Sequence, residues 1–313
     1  LSYLLLIAGL AVLIVSGELL VKGAVGIALK FRISTLVIGM TIVSFGTSAP
    51  ELLVSLKAAL EGHPDIAIGN VIGSNIANLA LVLGLTTLIL PLNIERNSLV
   101  IDWPFMMGGT ALFYLFILNG MLEHWEGAVM LGALIVFSVW LIHKSRKDGK
   151  AEEAVSEEVQ EERKKPSSIW RDTAFVVLAC AGLFFGARWL LDGAVEIARS
   201  FDVSDHFIAV TVVAFGTSAP ELITSLTAAF RKQGDISVGN LIGSNLFNVL
   251  GILGITAMVQ EIPVSDVVLN NDIFWVLAIS FVLLPFMLTG MKIGRIKGVM
   301  LFGSYLAYIF FQL

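Results

Sequence analysis

Apolar residues in this chain fall in long runs rather than in the short alternations of half-buried strands. Ten runs, at 1–27, 34–60, 66–90, 99–119, 125–143, 171–199, 204–230, 236–260, 270–290 and 294–313, predict ten transmembrane helices. About 20 apolar residues suffice to cross the hydrocarbon as a helix. The roughly ten-residue alternating segments of a membrane barrel are absent, so the expected class is all-α. One long polar stretch, KSRKDGKAEEAVSEEVQEERKKPSSIWR from Lys144 to Arg171, interrupts the pattern. Its mixed charge and lack of apolar periodicity mark a solvated linker. The chain thus divides into a five-helix half (1–143), a linker (144–170) and a second five-helix half (171–313). The first run is followed by further spans and carries no small-residue cleavage signal, so it reads as a retained helix.

The halves are copies. Ile33–Gly84 aligns without a gap on Val203–Gly254, and about half the positions are identical. GTSAPEL occurs at 46–52 and 216–222, and IGSN at 72–75 and 242–245. A unit with an odd number of spans, repeated, enters the membrane the second time the other way up. Inverted repeats of this kind typify secondary transporters, whose sites lie near the midplane where the repeats meet.

Charge supplies a second test of that topology. With the linker in the cytoplasm, the short connections on that side hold Lys22, Lys30, Arg32, Arg96, Arg231, Lys232, Lys292, Arg295 and Lys297. The other side keeps Lys57 and Arg199, with Arg188 inside the sixth run. The excess of basic residues inside places both termini outside. Composition narrows the function: 57% of residues are hydrophobic and 14% charged, against about 25% charged in a soluble domain, and the mean hydropathy is +0.87. The lipid bilayer is the one partner implied. No basic stripe points to nucleic acid, and no obligate protein partner is evident. The single cysteine, Cys180, allows no internal disulfide, and His63, His124, His143 and His206 lack metal-ligand spacing. No cofactor motif appears. The serines have no His or Lys partner within their own elements, so an enzyme is not expected.

Two elements carry the chemistry. In SFGTSAPELLVS (44–55) and AFGTSAPELITS (214–225), Gly, Thr, Ser, Pro and Glu fall within an apolar run. Pro50 and Pro220 remove the N–H that would bond the carbonyls of Gly46 and Gly216, and disturb those of Thr47 and Thr217. Freed carbonyls at membrane depth need a partner, and a bound cation is one. Glu51 and Glu221 follow those prolines directly. Brought together across a pseudo-twofold axis, they form an anionic oxygen cage, with the hydroxyls of Thr47, Ser48, Thr217 and Ser218 beside it. Carboxylate, carbonyl and hydroxyl oxygens suit a hard cation, and the flexible geometry suits calcium. The second element is GNVIGSNIANLALVLG (69–84), matched by GNLIGSNLFNVLGILG (239–254). Ser74 and Asn78 share a helix face, as do Ser244 and Asn248; the two asparagines read as neutral oxygen donors. Gly69, Gly73, Gly239 and Gly243 follow the small-xxx-small pattern of close helix packing. Asn75 and Asn245 lie roughly 100° round the helix from that face. Glu18 with Lys22, and Arg188 with Asp192, stand one turn apart at aligned positions with signs reversed, and read as local ion pairs.

GTSAPE with GSNIAN, duplicated, resembles the alpha repeats of the calcium/cation antiporter superfamily, and most nearly its prokaryotic sodium/calcium exchanger branch. The resemblance spans nearly the whole chain. It implies two inverted five-helix halves in a prokaryotic cytoplasmic (inner) membrane. Spans two, three, seven and eight would form the ion core, with spans one and six sliding across it. It implies electrogenic exchange of calcium for sodium. By position, Glu51 and Glu221 would hold calcium with the carbonyls of Thr47 and Thr217. Sodium would share the two carboxylates and use Ser48, Ser74, Asn78, Ser218, Ser244 and Asn248. The sodium set also takes in Ser44 and Ala214, where the repeats are not equivalent. Many related sequences have Asp where this one has Asn248, an acidic position linked to potassium transport, so potassium-independent exchange is expected here. A calcium/proton antiporter on the same fold is the alternative, since the same carboxyl groups could carry protons.

Overall fold

The computed structural model describes residues 1–148, 168–203, 212 and 214–312. Most of the linker and the start of the seventh run, including His206, lie outside the described residues, as does the side chain of Ala214.

The described residues are helical, apart from two short antiparallel ladders. Helix α1 is Ser2–Phe31. A bent pair follows, α2 (Thr35–Thr47) and α3 (Ala49–Leu60), with a 46° angle between them. Then come α4 (Pro64–Ile89), α5 (Ser98–Ile117) and α6 (His124–Asp148). After the linker come α7 (Ile169–Ser200), a turn of helix α8 (Ala214–Thr217), α9 (Ala219–Phe230), α10 (Gly234–Val259), α11 (Val268–Leu288) and α12 (Arg295–Gln312). Among the described residues, seven helices are long and apolar enough to cross a membrane, eight with the bent pair. The runs foreseen at 1–27 and 125–143 extend further, to Phe31 and Asp148.

The duplication is visible in the backbone. Widened π-helical turns interrupt α4 at Ala77–Val82 and α10 at Phe247–Ile252, the same place in each copy. They open α5 at Ser98–Asp102 and α11 at Val268–Asp272 as well. The ladders cross between halves. Strand β1 (Leu92–Asn93) pairs with β4 (Lys292–Ile293), and β2 (Met121–Leu122) with β3 (Ile262–Pro263).

Packing separates the molecule into two apolar clusters. The larger joins α4, α5, α6, α10, α11 and α12. The smaller runs along α1 and α7 where they meet α2 and α9. Backbone contact between α1 and α7 is close because glycines line it. A Cβ on Gly9 would lie 2.4 Å from the Leu190 nitrogen, and one on Gly193 would lie 2.6 Å from the Ser2 carbonyl oxygen.

Candidate ion-binding site

The two breaks are built alike. Ser48 ends α2 with φ −88° and ψ 3°, and Ser218 ends α8 with φ −87° and ψ 4°. Pro50 and Pro220 then sit in the first turn of α3 and α9, where a missing N–H costs little. Glu51 and Glu221 fall in those same first turns, at the positive ends of α3 and α9.

Both glutamates are buried, 1% and 0% exposed. Ser48 Oγ donates to Glu221 Oε1 at 3.3 Å across the repeat interface. Both oxygens of Glu51 and Oε2 of Glu221 have no hydrogen-bond partner. The same holds for Ser74 Oγ, Ser218 Oγ, both amide atoms of Asn78 and Asn248 Oδ1. Buried polar atoms are nearly always satisfied, so this set of orphans within the predicted residues marks a place built for something the polypeptide does not supply. Each orphan atom except Asn78 Nδ2 is an oxygen, and none is sulfur or imidazole nitrogen: a hard-cation donor set.

Other predicted residues serve the frame. Thr47 Oγ1 donates to Asn240 Oδ1 (3.1 Å) and lies 3.3 Å from Ser244 Oγ, joining α2 to α10. Asn240 in turn donates to Ser225 Oγ (3.2 Å), and its counterpart Asn70 donates to Ser55 Oγ (3.0 Å) and the Glu51 carbonyl (3.3 Å). Ser44 Oγ is committed to its own helix, donating to the Met40 carbonyl at 2.7 Å. Thr217 is half-buried at the end of α8. Gly239 and Gly243 take the backbone of α2: Cβ atoms there would lie 2.4 Å from the Leu36 oxygen and 2.6 Å from Met40 Cα. The residues that correspond to Leu36 and Met40 in the second copy lie outside the described residues.

Asn75 and Asn245 have a role that helix geometry alone did not assign. Asn75 Nδ2 donates to the Asn245 carbonyl (3.2 Å), and Asn245 Nδ2 donates to the Asn75 carbonyl (3.3 Å). Asn248 Nδ2 adds a bond to Asn75 Oδ1 at 3.0 Å. This reciprocal pair joins corresponding residues of the two copies and pins α4 to α10 beside their π-helical turns. Those turns contain Asn78 and Asn248; such insertions re-aim side chains and recur at functional sites.

A helical membrane core with two broken helices, each carrying a buried carboxyl group among unsatisfied oxygens, is that of an integral membrane ion transporter. Comparison with known proteins gives the family. Residues 1–143 and 172–313 match the model of the sodium/calcium exchanger protein family. The chain is 36% identical over 305 residues to CaxA of Alkalimonas amylolytica, covering 96% of this chain and 95% of that one. It is 32% identical over 340 residues to the sodium/calcium exchanger MaX1 of Methanosarcina acetivorans, covering 98% and 97%. A solved structure of the sodium-calcium exchanger NCX_Mj superposes with a TM-score of 0.83 at 30% identity, covering 100% of this chain and 99% of that one. The chain belongs to the sodium/calcium exchanger family; it is a transporter and not an enzyme.

Proposed function

We propose that this protein exchanges sodium for calcium across a prokaryotic cytoplasmic membrane by alternating access, electrogenically and without potassium. The observation that carries the reading is the set of orphaned oxygens around Glu51 and Glu221. Calcium would take the two carboxylates with the carbonyls of Thr47 and Thr217. Sodium would take the same carboxylates with Ser48, Ser74, Asn78, Ser218, Ser244 and Asn248. Ser44 and Ala214 would complete the unequal sodium positions. The relatives support the cargo: MaX1 and NCX_Mj are both named as sodium/calcium exchangers.

The coupling rule follows from charge. Two ionised carboxylates at bilayer depth are costly unless neutralised. One calcium or several sodium ions supply that neutralisation, and the bare site does not cross. With α1 and α7 sliding over the fixed core, the loaded protein reorients and the empty one stays. Asn248 in place of a third carboxylate leaves the site without the extra charge that a potassium ion would need. In this reading the chain forms ten spans in two inverted halves, 1–143 and 171–313, with both termini outside and the 144–170 linker in the cytoplasm.

The test is calcium uptake into sodium-loaded proteoliposomes with the voltage clamped by an ionophore, and Glu51→Gln as control. Uptake that requires internal sodium, persists without potassium and vanishes in the variant is expected. Uptake driven by a pH gradient instead of sodium would make the protein a calcium/proton antiporter.

A further inference from the structure

We propose that the α1–α7 pair is held at each end of its travel by its own ion-pair latch. Glu18 with Arg231 is the latch engaged here, and Arg188 with Glu61 is the latch that closes when access reverses. The inference rests on the alternating-access reading above.

Glu18, midway along α1, is bound by two cations. Lys22 lies one turn on, at 3.0 Å, and Arg231 reaches it from the end of α9. The second bond ties the α1–α7 pair to the ion core. The internal repeat then makes a demand on the other half. At the offset that relates Glu51 to Glu221, Glu18 corresponds to Arg188, Lys22 to Asp192 and Arg231 to Glu61. Every sign is reversed. Reversal of one partner alone would have turned the second pair repulsive; reversal of both keeps it attractive.

That second pair is not formed. Arg188 is held loosely by Asp192 at 3.9 Å and Glu61 by Lys57 at 3.7 Å, all four side chains more than half exposed. The packing shows why. Helix α1 lies along α9, whereas α7 barely reaches α3. A Cβ on Gly17 would stand 3.2 Å from Ile223 Cγ2 and 3.5 Å from Thr227 Oγ1. At the corresponding place in the other half, Leu53 and Val54 are exposed, while Thr224, the partner of Val54, is fully buried. The cleft is therefore shut at the Glu18 end and open at the Arg188 end. Because α1 and α7 interlock through their glycine backbones, a shift that brings Arg188 to Glu61 carries Glu18 away from Arg231. Only one latch closes at a time.

Cysteine crosslinking in the full-length protein tests this. On a Cys180→Ala background, Leu53→Cys on the exposed face of α3 and Ala187→Cys, buried here in the smaller cluster, report the missing contact, since they correspond to the touching pair Ile223 and Gly17. Calcium uptake before crosslinking reports that the protein is folded. Glu18→Gln should raise the 53–187 crosslinked fraction by about two- to fivefold, the range for one partly exposed ion pair. Glu61→Gln and Arg188→Gln should each lower it by a similar factor. A crosslink that responds to sodium and calcium but not to these substitutions, or that moves the same way in all three, overturns the latch and leaves the sliding intact. A crosslink that never forms while uptake persists overturns the sliding of α1 and α7, and the latch with it.

Discussion

At the scale of single residues, the site is defined by what its atoms lack. Glu51 has two unpartnered oxygens and Glu221 one, so removing either charge should be felt at once by the cation. Glu51→Gln and Glu221→Gln are each expected to weaken calcium binding by on the order of a hundredfold or more, because affinity in such sites follows the count of charged ligands. Isothermal titration of the detergent-purified protein with calcium checks this. Asn248 poses a subtler question. It spends its Nδ2 on Asn75 and keeps Oδ1 free. Asn248→Asp would add a third carboxylate while losing that donor bond. It should slow sodium-driven calcium uptake in potassium-free solution and make the remaining uptake respond to added potassium, measured side by side with the parent.

At the scale of elements, legibility in the sequence followed locality. The broken helices were readable because proline, glycine and glutamate sit within one turn of each other, and the chain breaks at Ser48 and Ser218 as those residues require. The small-xxx-small run at Gly239 and Gly243 was readable for the same reason, and α2 does lie against it. Gly243→Leu should therefore push into the Met40 backbone and cost about 1–3 kcal/mol or more, seen as a lowered thermal midpoint in detergent. What needed the structure was pairing between distant segments. Asn75 and Asn245 each bond to the other's backbone, a partnership that no wheel projection of one helix contains. Asn245→Ala removes the one bond that its side chain donates and should cost about 0.6 kcal/mol, the average for an interhelical hydrogen bond in membranes, with a fall in the midpoint smaller than that of Gly243→Leu. The π-helical turns were likewise silent: ANLALV reads as ordinary helix, and the Asn, Val and Gly of FNVLGI weaken a helix without specifying a widened turn. Arg231 was read for topology alone, because its partner Glu18 lies 213 residues away.

At the scale of the whole molecule, the repeat is close enough to place matching π-helical turns in α4 and α10, yet the two halves do not make the same contacts. Helix α1 is seated on α9 and α7 is not seated on α3. The crossed ladders, β1 with β4 and β2 with β3, stitch each half to the other away from the α1–α7 pair. They join segments of the larger apolar cluster, while the smaller cluster follows α1 and α7. A core fastened in this way can stay still while the pair beside it shifts, which fits access that changes without rebuilding the site.

The four charges along the middle of that pair have an electrical consequence. Glu18 with Lys22 and Arg188 with Asp192 sum to zero at each level, so in the sliding proposed above the middle of α1 and α7 would carry no net side-chain charge through the membrane field. The middle of the moving pair would then be a neutral shuttle, and voltage would act on the cargo and on the two site carboxylates rather than on those four charges. Voltage steps on a membrane bearing the calcium-loaded protein, which reorients with a neutralised site in this reading, should then evoke no displacement current beyond the lipid capacitance, and any steady current with both ions present would meter cargo alone.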